Sequence, residues 1–363
     1  MRTVFSNIAH LFKHKAIFRV CVLYLAIVFI VTLLLPWLPL PYQPNELDLE
    51  HLFTSPFSRE NGGTDTAVHW LGTDGIGRDV LVNLLFGARS AFLISIPVMV
   101  ITSLLGLLLG AYAGYYGDNR ARLSRSKMLI CILWLCCWLY FCLYLPVNLG
   151  AALTLKKALS CIVCLLVLTV LLWKLLLPLL NQAPFLKHKV YFPLDKAILH
   201  LIELFSSVPR FILIILVASF LPPSLFYLSV LLILTSWTST ARLARAEMLR
   251  VRHLPFFEAA HSLGVSDRRL IMKHALPNIL APVVVAFIFG TAGLMALEST
   301  LSFLGIGMPA NIASWGRIIT GIRSNTAAWW LVFFPGMFLT ITVLALHTCS
   351  NYLLEINGRY TKG

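Results

Sequence analysis

Charge is scarce in this 363-residue chain: Asp, Glu, Lys and Arg together make up 12% of it, against 59% hydrophobic residues. A soluble domain carries about a quarter charged residues, so a soluble globular protein is excluded. Acids are the scarcer sign, 15 against 29 Lys and Arg, for a net charge of +14. The basic residues stand in short loops between apolar runs, with no aromatic-basic module of the kind that binds single strands. No nucleic-acid partner is therefore expected, and the excess charge reads as a topology signal and as contact with anionic lipid. No G-x-x-x-x-G-K-[ST] sequence occurs, nor a zinc-protease pattern or nucleophile elbow, so neither ATP binding by that loop nor hydrolytic catalysis is expected. Internal repeats and low-complexity tracts are also missing. The eight cysteines all fall in or beside apolar stretches, which argues against a disulfide framework. Cys161-x-x-Cys164 lacks a second ligand pair and reads as apolar packing. His10, His14 and His261 are isolated and read as surface residues; no metal or cofactor is expected on the chain.

Long apolar runs are what the sequence has. A membrane helix needs about 20 apolar residues. Eight segments qualify: 17–38, 91–116, 128–149, 159–180, 197–220, 225–241, 278–302 and 329–351. The fold class expected is therefore an all-α polytopic membrane protein with about eight transmembrane helices. The first run follows Lys13, Lys15 and Arg19 and ends in Pro36-Trp37-Leu38-Pro39. It is too long for a signal-peptide core, lacks a small-residue cleavage site, and reads as a retained span. The sixth is the shortest and continues into a basic amphipathic stretch. With the N-terminus inside, twenty Lys and Arg fall in inner segments and seven in outer ones. That bias predicts both termini in the cytoplasm. The one long polar stretch, 39–90, holds seven acids and is expected outside the membrane. Within the spans, Glu203 and Arg210 lie seven apart and are expected on one helix face, about 10 Å apart. Glu298 is expected near the outer end of its span. Both acids are read as partly hydrated rather than substrate-binding, although a charge in a span is a functional candidate by default.

The segment 242–277 reads as helix, break, helix. Residues 256–263 suit a short helix, Gly264 its left-handed end, and Ser266 or Asp267 the cap of the next helix. Pro277 limits that helix or marks entry to the following span. Phe256 and Phe257 beside Ala259 and Ala260, with an anionic edge at Glu258, form a knob suited to a cleft on another protein. On physics alone, a loop lying on lipid headgroups is an equal alternative.

Glu258-Ala259-Ala260, Gly264 four residues later and Leu276-Pro277 resemble the EAA loop of ABC importer permeases. Leu71-Gly72-Thr73-Asp74 with Gly77-Arg78-Asp79 resembles the C-type permease of dipeptide, oligopeptide and nickel importers. So do Gly87-Ala88-Arg89, Gly114-Tyr115-Tyr116-Gly117, Trp237, Ala241-Arg242-Leu243, Arg245, Ser302-Phe303-Leu304-Gly305, Ser314-Trp315-Gly316 and Phe334-Pro335-Gly336, with Glu203, Pro209 and Glu298 at matching places. The resemblance covers about 68–117 and 194–350. It implies a type I permease core that pairs with a second permease. It further implies two ATPase subunits that carry ATP and Mg, and an extracytoplasmic substrate-binding protein. Glu258, Ala259, Ala260, Gly264, Arg268, Arg269, Leu276 and Pro277 would then form the ATPase-coupling surface. Asp74, Arg78 and Asp79, with Gly72, Thr73 and Gly77, order an outer turn or present surface to the binding protein. The glycines of that turn are not a phosphate loop, since no strand precedes them.

Residues 118–193 depart from the family pattern and are expected to be an inserted transmembrane hairpin. Thr240 stands where an aromatic is expected. The organisation is thus 1–90, an N-terminal span and extracytoplasmic loop; 91–117, the first core span; 118–193, the hairpin; 194–353, the remaining core with the coupling loop; and 354–363, a cytoplasmic tail. Peptides are the cargo class that the resemblance implies, with nickel and other small solutes behind. An ion-gradient-driven transporter and a non-transporting scaffold or sensor are the competing readings.

Overall fold

The 37-residue helix α2 (Val80–Tyr116) is the spine of the computed structural model, which describes residues 11–57, 69–118, 122–145, 155–183, 185 and 189–360. At 1.5 Å per residue it is about 55 Å long, well beyond the ~30 Å hydrocarbon layer. It starts eleven residues before the apolar run expected from position 91. The Asp79 side chain caps it, Oδ1 accepting from the Val82 N–H at 2.8 Å, and Asn83 Nδ2 donates to the Asp79 carbonyl. Hydropathy alone places the start later because Asn83, Arg89 and Ser90 interrupt the apolar residues of these first turns. Gly117, at φ +56°, ends the helix.

Against α2 lies α7 (Leu225–Arg252), and the two approach closely because one face of α2 is glycine. A Cβ on Gly106 would sit 2.7 Å from Thr240 Cβ, one on Gly110 2.2 Å from the Ala241 carbonyl, and one on Gly114 2.9 Å from Met248 Cβ. Small residues four apart let membrane helices bring their backbones together where hydrophobic burial gives no advantage over lipid. Thr240 is buried in this seam, which is why a small residue suits the place where the sequence pattern leads one to expect an aromatic.

Helix α9 (Asp267–Phe303) contains a π turn at Leu270–Ala275, and α11 (Trp330–Tyr360) packs along it. Pro277 therefore marks entry to the straight part of α9 rather than a stop. Short α10 (Trp315–Thr320) wedges between α9 and α2. Trp315 is fully buried, donates Nε1–H to the Leu84 carbonyl at 2.9 Å, and lies where a Cβ on Gly87 would fall. Helix α1 (Ala16–Leu34) lies on the periphery against α11, joined by Tyr24 and Thr342 hydroxyls 2.9 Å apart and by an edge-on Phe18–Tyr352 pair.

Between these lie two departures from the expected layout. The run 197–220 is a pair of helices, α5 (Leu194–Ser206) and α6 (Arg210–Ala218), bent by 72° at Ser207–Pro209. Pro209 carries no N–H and disfavours helix in the residue before it. Glu203 and Arg210 thus do not share one helix face: Glu203 is exposed, while Arg210 donates to Ser236 Oγ on α7 at 2.6 Å. The second is the inserted segment, where α3 (Arg125–Leu139) packs against α4 (Leu155–Leu171) and its continuation to Leu180. Two three-residue strands, β1 (Arg122–Ser124) and β2 (Lys189–Tyr191), pair antiparallel at its base, with Leu123 opposite Val190. Ser126 Oγ donates to Asn181 Oδ1, and Trp134 Nε1–H to Thr169 Oγ1. Residues 146–154, between α3 and α4, lie outside the described residues.

The all-helical membrane class holds. Among the described residues, five helices are long and apolar enough to cross a membrane, or six if the bent pair counts as one span. Of the eight expected, 225–241 falls short because Thr235, Ser236, Ser239 and Thr240 dilute its apolar run, although the helix itself is 28 residues long. The run 128–149 extends into residues not described.

Candidate functional site

At the C-terminal end of α2, the chain leaves α7 at Arg252 and forms α8 (Pro255–Ser262). Leu254 and Pro255 open α8, Pro at N1 being compatible with a helix start. Phe257 is the anchor: it is 2% exposed and meets the Tyr115 ring edge-on at 6.3 Å. Around it pack Val251, Leu270, Ile271 and Ala275. Helix α8 ends in a glycine cap, with the Val265 N–H on the Ala260 carbonyl and the Gly264 N–H on the His261 carbonyl. This is the paired bonding of a Schellman motif. Gly264 sits at φ +76° in open space, so backbone conformation rather than room requires it.

With Phe257 turned inward, the opposite face is presented outward: Glu258, Ala259, His261, Ser262, Leu263 and Gly264 are all exposed, Leu263 at 84%. Ala260 and Leu276 are half-buried, and Arg268, Arg269 and Pro277 exposed. Ser266 stands at the cap of α9 but makes no side-chain capping bond. Asp267 instead accepts a 2.6 Å hydrogen bond from Tyr115 Oη, a tie that sequence reading missed. Arg252 Nη1 donates to the Gly114 carbonyl, and Arg245 holds Asp195 through Nε at 2.5 Å and Nη2 at 2.6 Å. The hydrogen bonds to Asp195 hold the Arg245 guanidinium above its usual pKa, against partial burial. The segment is thus a small exposed knob on a fixed base.

At the other end of α2, Gly72, Thr73, Asp74, Gly77, Arg78 and Asp79 close one turn. Asp74 Oδ1 accepts from the Ile76 and Arg78 N–H groups, its backbone pairs with Arg78 and Gly77, and Thr73 bridges to Asp79. Gly72 and Gly77 have φ near +80°, and a Cβ on Gly77 would collide with the Asp48 carbonyl. Trp330 Nε1–H donates to the Thr73 carbonyl, fastening the turn to α11. Arg317, beside this turn, has its pKa lowered by burial and by the neighbouring Arg78.

Glu298 is not the partly hydrated residue expected. It is 1% exposed, and its carboxylate accepts from Ser302 Oγ at 3.0 Å and Ser314 Oγ at 2.9 Å, with Ser299 Oγ at 3.4 Å. The loop carrying Ser314 and Trp315 folds over the end of α9 and shuts water out.

Residues 188–362, from β2 through α11 and including the whole knob, match the family described as binding-protein-dependent transport system inner membrane component. This part of the chain, a little under half of it, is similar to that permease family. A putative peptide transport system permease protein of Brucella abortus is 27% identical over 349 residues, covering 95% of this chain and 88% of the relative. The oligopeptide transport system permease protein OppC of Bacillus subtilis is 23% identical over 288 residues, covering 79% and 70%. The inner membrane ABC transporter permease protein YejE of Escherichia coli is 27% identical over 310 residues, covering 85% and 66%. The named relatives are permease components of transport systems.

Proposed function

We propose that this permease is one of two membrane subunits of an ATP-driven importer of peptides, and that α8 and its glycine cap dock in a groove on a separate ATPase subunit. ATP and Mg are assigned to that ATPase pair, and cargo delivery to a substrate-binding protein on the extracytoplasmic side, where the Gly72–Asp79 turn then lies. Both termini are assigned to the cytoplasm by the distribution of Lys and Arg. Peptides come from the names of the relatives. The carrying observation is the knob: Phe257 and Asp267 fix its base, while Glu258, Ala259, Leu263 and Gly264 project with no intramolecular task for their side chains beyond the Gly264 turn. A rigid lever of this form transmits rigid-body motion between two states. The test is co-purification of the chain in mild detergent from its native host. The wild type is expected to bring a second permease and ATPase subunits. A Glu258→Lys, Gly264→Pro double variant should insert normally and lose the ATPases. Absence of any ATPase from the wild type in several detergents overturns the reading.

Two observations favour a second reading, transport driven by an ion gradient: the buried carboxylate of Glu298 and the break between α5 and α6, both features of secondary transporters. Uptake that survives ATP depletion and collapses with the gradient would establish it.

A further inference from the structure

The polar loop after α1 and the segment that leads into α2 meet at three side chains, two from the loop and one from that segment. Asp48, His51 and His69 each offer a ligand atom, and the three atoms lie within 4.8 Å of one another. We propose that Asp48, His51 and His69 bind a divalent transition-metal ion, zinc fitting best, which staples the 39–57 loop to the head of α2.

Geometry comes first. Tetrahedral zinc with bonds of 2.0–2.1 Å places its ligand atoms about 3.3 Å apart. His69 Nε2 and Asp48 Oδ2 are already 3.4 Å apart, and His51 Nδ1 is 2.8 Å from the same oxygen. Opening the shorter contact by about half an ångström brings both edges that meet at Asp48 to the zinc spacing, with the third edge no longer than 4.8 Å, and the His51 and Asp48 side chains are each more than a quarter exposed.

The second argument is the orientation of His69, which is 5% exposed. Its Nδ1–H donates to Asp79 Oδ2 at 2.9 Å, while Asp79 Oδ1 is occupied by the Val82 N–H. Asp79 is thus fixed as an acceptor and sets the tautomer of His69, leaving the Nε2 lone pair aimed at the Asp48 carboxylate. A lone pair and a carboxylate oxygen 3.4 Å apart repel unless a cation, a metal ion or a proton, lies between them. Carboxylate–histidine–metal is the arrangement by which proteins orient and strengthen an imidazole ligand. The Tyr42 ring stacked on His69 at 4.3 Å holds the imidazole plane. Two imidazoles and one carboxylate favour zinc and its neighbours over calcium or magnesium, which take oxygen ligands. Three protein ligands leave the fourth position for water or for an external donor.

This site makes no use of the transport reading. Its test uses the purified permease in detergent, with any affinity tag removed and metal stripped by EDTA. The protein is titrated with ZnCl2 by calorimetry and its metal content is counted by mass spectrometry after dialysis. The expected result is one zinc per chain, weakened at least tenfold by Asp48→Asn and by His51→Ala and untouched by His200→Ala, whose imidazole lies on α5. Asp79→Asn should weaken binding between 10- and 100-fold, as loss of an orienting carboxylate does. X-ray absorption of the wild-type zinc complex, which needs no variant to fold, should show two imidazole nitrogens and a carboxylate oxygen. Absence of saturable binding, unchanged stoichiometry in an Asp48→Asn, His51→Ala double variant that elutes as the wild type does, or a zinc environment with a different ligand set overturns the proposal. In the first case a proton bridges His69 and Asp48.

Discussion

Tyr115 Oη and Asp267 Oδ1 are 2.6 Å apart, one residue at the C-terminal end of α2 and the other at the start of α9. The same Tyr115 that meets Phe257 edge-on thereby also ties the start of α9 to the base of the exposed knob. A hydrogen bond to a charged acceptor contributes about 1.5–3 kcal/mol when shielded, and less here because Asp267 is exposed. Tyr115→Phe keeps the ring against Phe257 and removes the hydroxyl that makes the bond. It is expected to speed tryptic cleavage after Arg268 and Arg269 several-fold while leaving insertion and yield unchanged. Limited proteolysis in detergent or inverted vesicles checks this, and equal cleavage rates would show the tie to be dispensable.

Gly264 supplies a separate test of the same knob. With φ +76° and nothing within 4 Å of where a Cβ would stand, the residue is needed for its conformation alone. An alanine there costs about 1–2 kcal/mol, whereas Asn tolerates the left-handed region. Recovery of ATPase subunits with the permease should therefore fall in the order wild type, Gly264→Asn, Gly264→Ala, Gly264→Pro. Equal recovery across the series would exclude the cap as a determinant of docking.

The α2–α7 seam predicts a contrast between glycines. A Cβ on Gly110 falls 2.2 Å from a backbone carbonyl, whereas one on Gly293 meets nothing. Overpacking of this kind costs about 1–3 kcal/mol. Gly110→Ala should lower the thermal stability of the detergent-solubilised protein by several degrees, and Gly293→Ala should leave it unchanged. Melting curves followed by size-exclusion peak height decide between them.

These sites differ in how far the sequence discloses them. The knob is legible because helix, break and helix are local: residue types, the glycine and the caps all lie within twenty residues. The seam is written in Gly106, Gly110 and Gly114 at a spacing of four, although a reading tuned to apolar runs passes over it. The break at Pro209 is also written in the sequence, and the spacing of Glu203 and Arg210 is misleading only when the proline between them is ignored. What the sequence does not disclose depends on how the chain folds back on itself. The meeting of Asp48, His51 and His69, the Tyr115–Asp267 tie across 152 positions, and the strand pair at the base of the hairpin all require the fold. Hydropathy places Glu298 near the end of a span but carries no information about the loop that covers it.

That covering loop makes Glu298 the sharpest test of the two transport readings. Three serine hydroxyls surround its carboxylate, two of them donating at 2.9 and 3.0 Å. If the residue pins the Ser314–Trp315 loop to α9, the amide of Glu298→Gln retains an acceptor oxygen for those hydroxyls and preserves the fold. Glu298→Leu leaves buried hydroxyls without an acceptor, each worth about 1–3 kcal/mol. ATP-driven uptake should then persist in Glu298→Gln at near wild-type rate and be lost in Glu298→Leu together with thermal stability. If instead the carboxylate carries a proton or cation, Glu298→Gln abolishes uptake while the protein melts as the wild type does. Uptake into proteoliposomes, measured beside melting curves of the same preparations, separates a residue that holds the loop from one that carries charge.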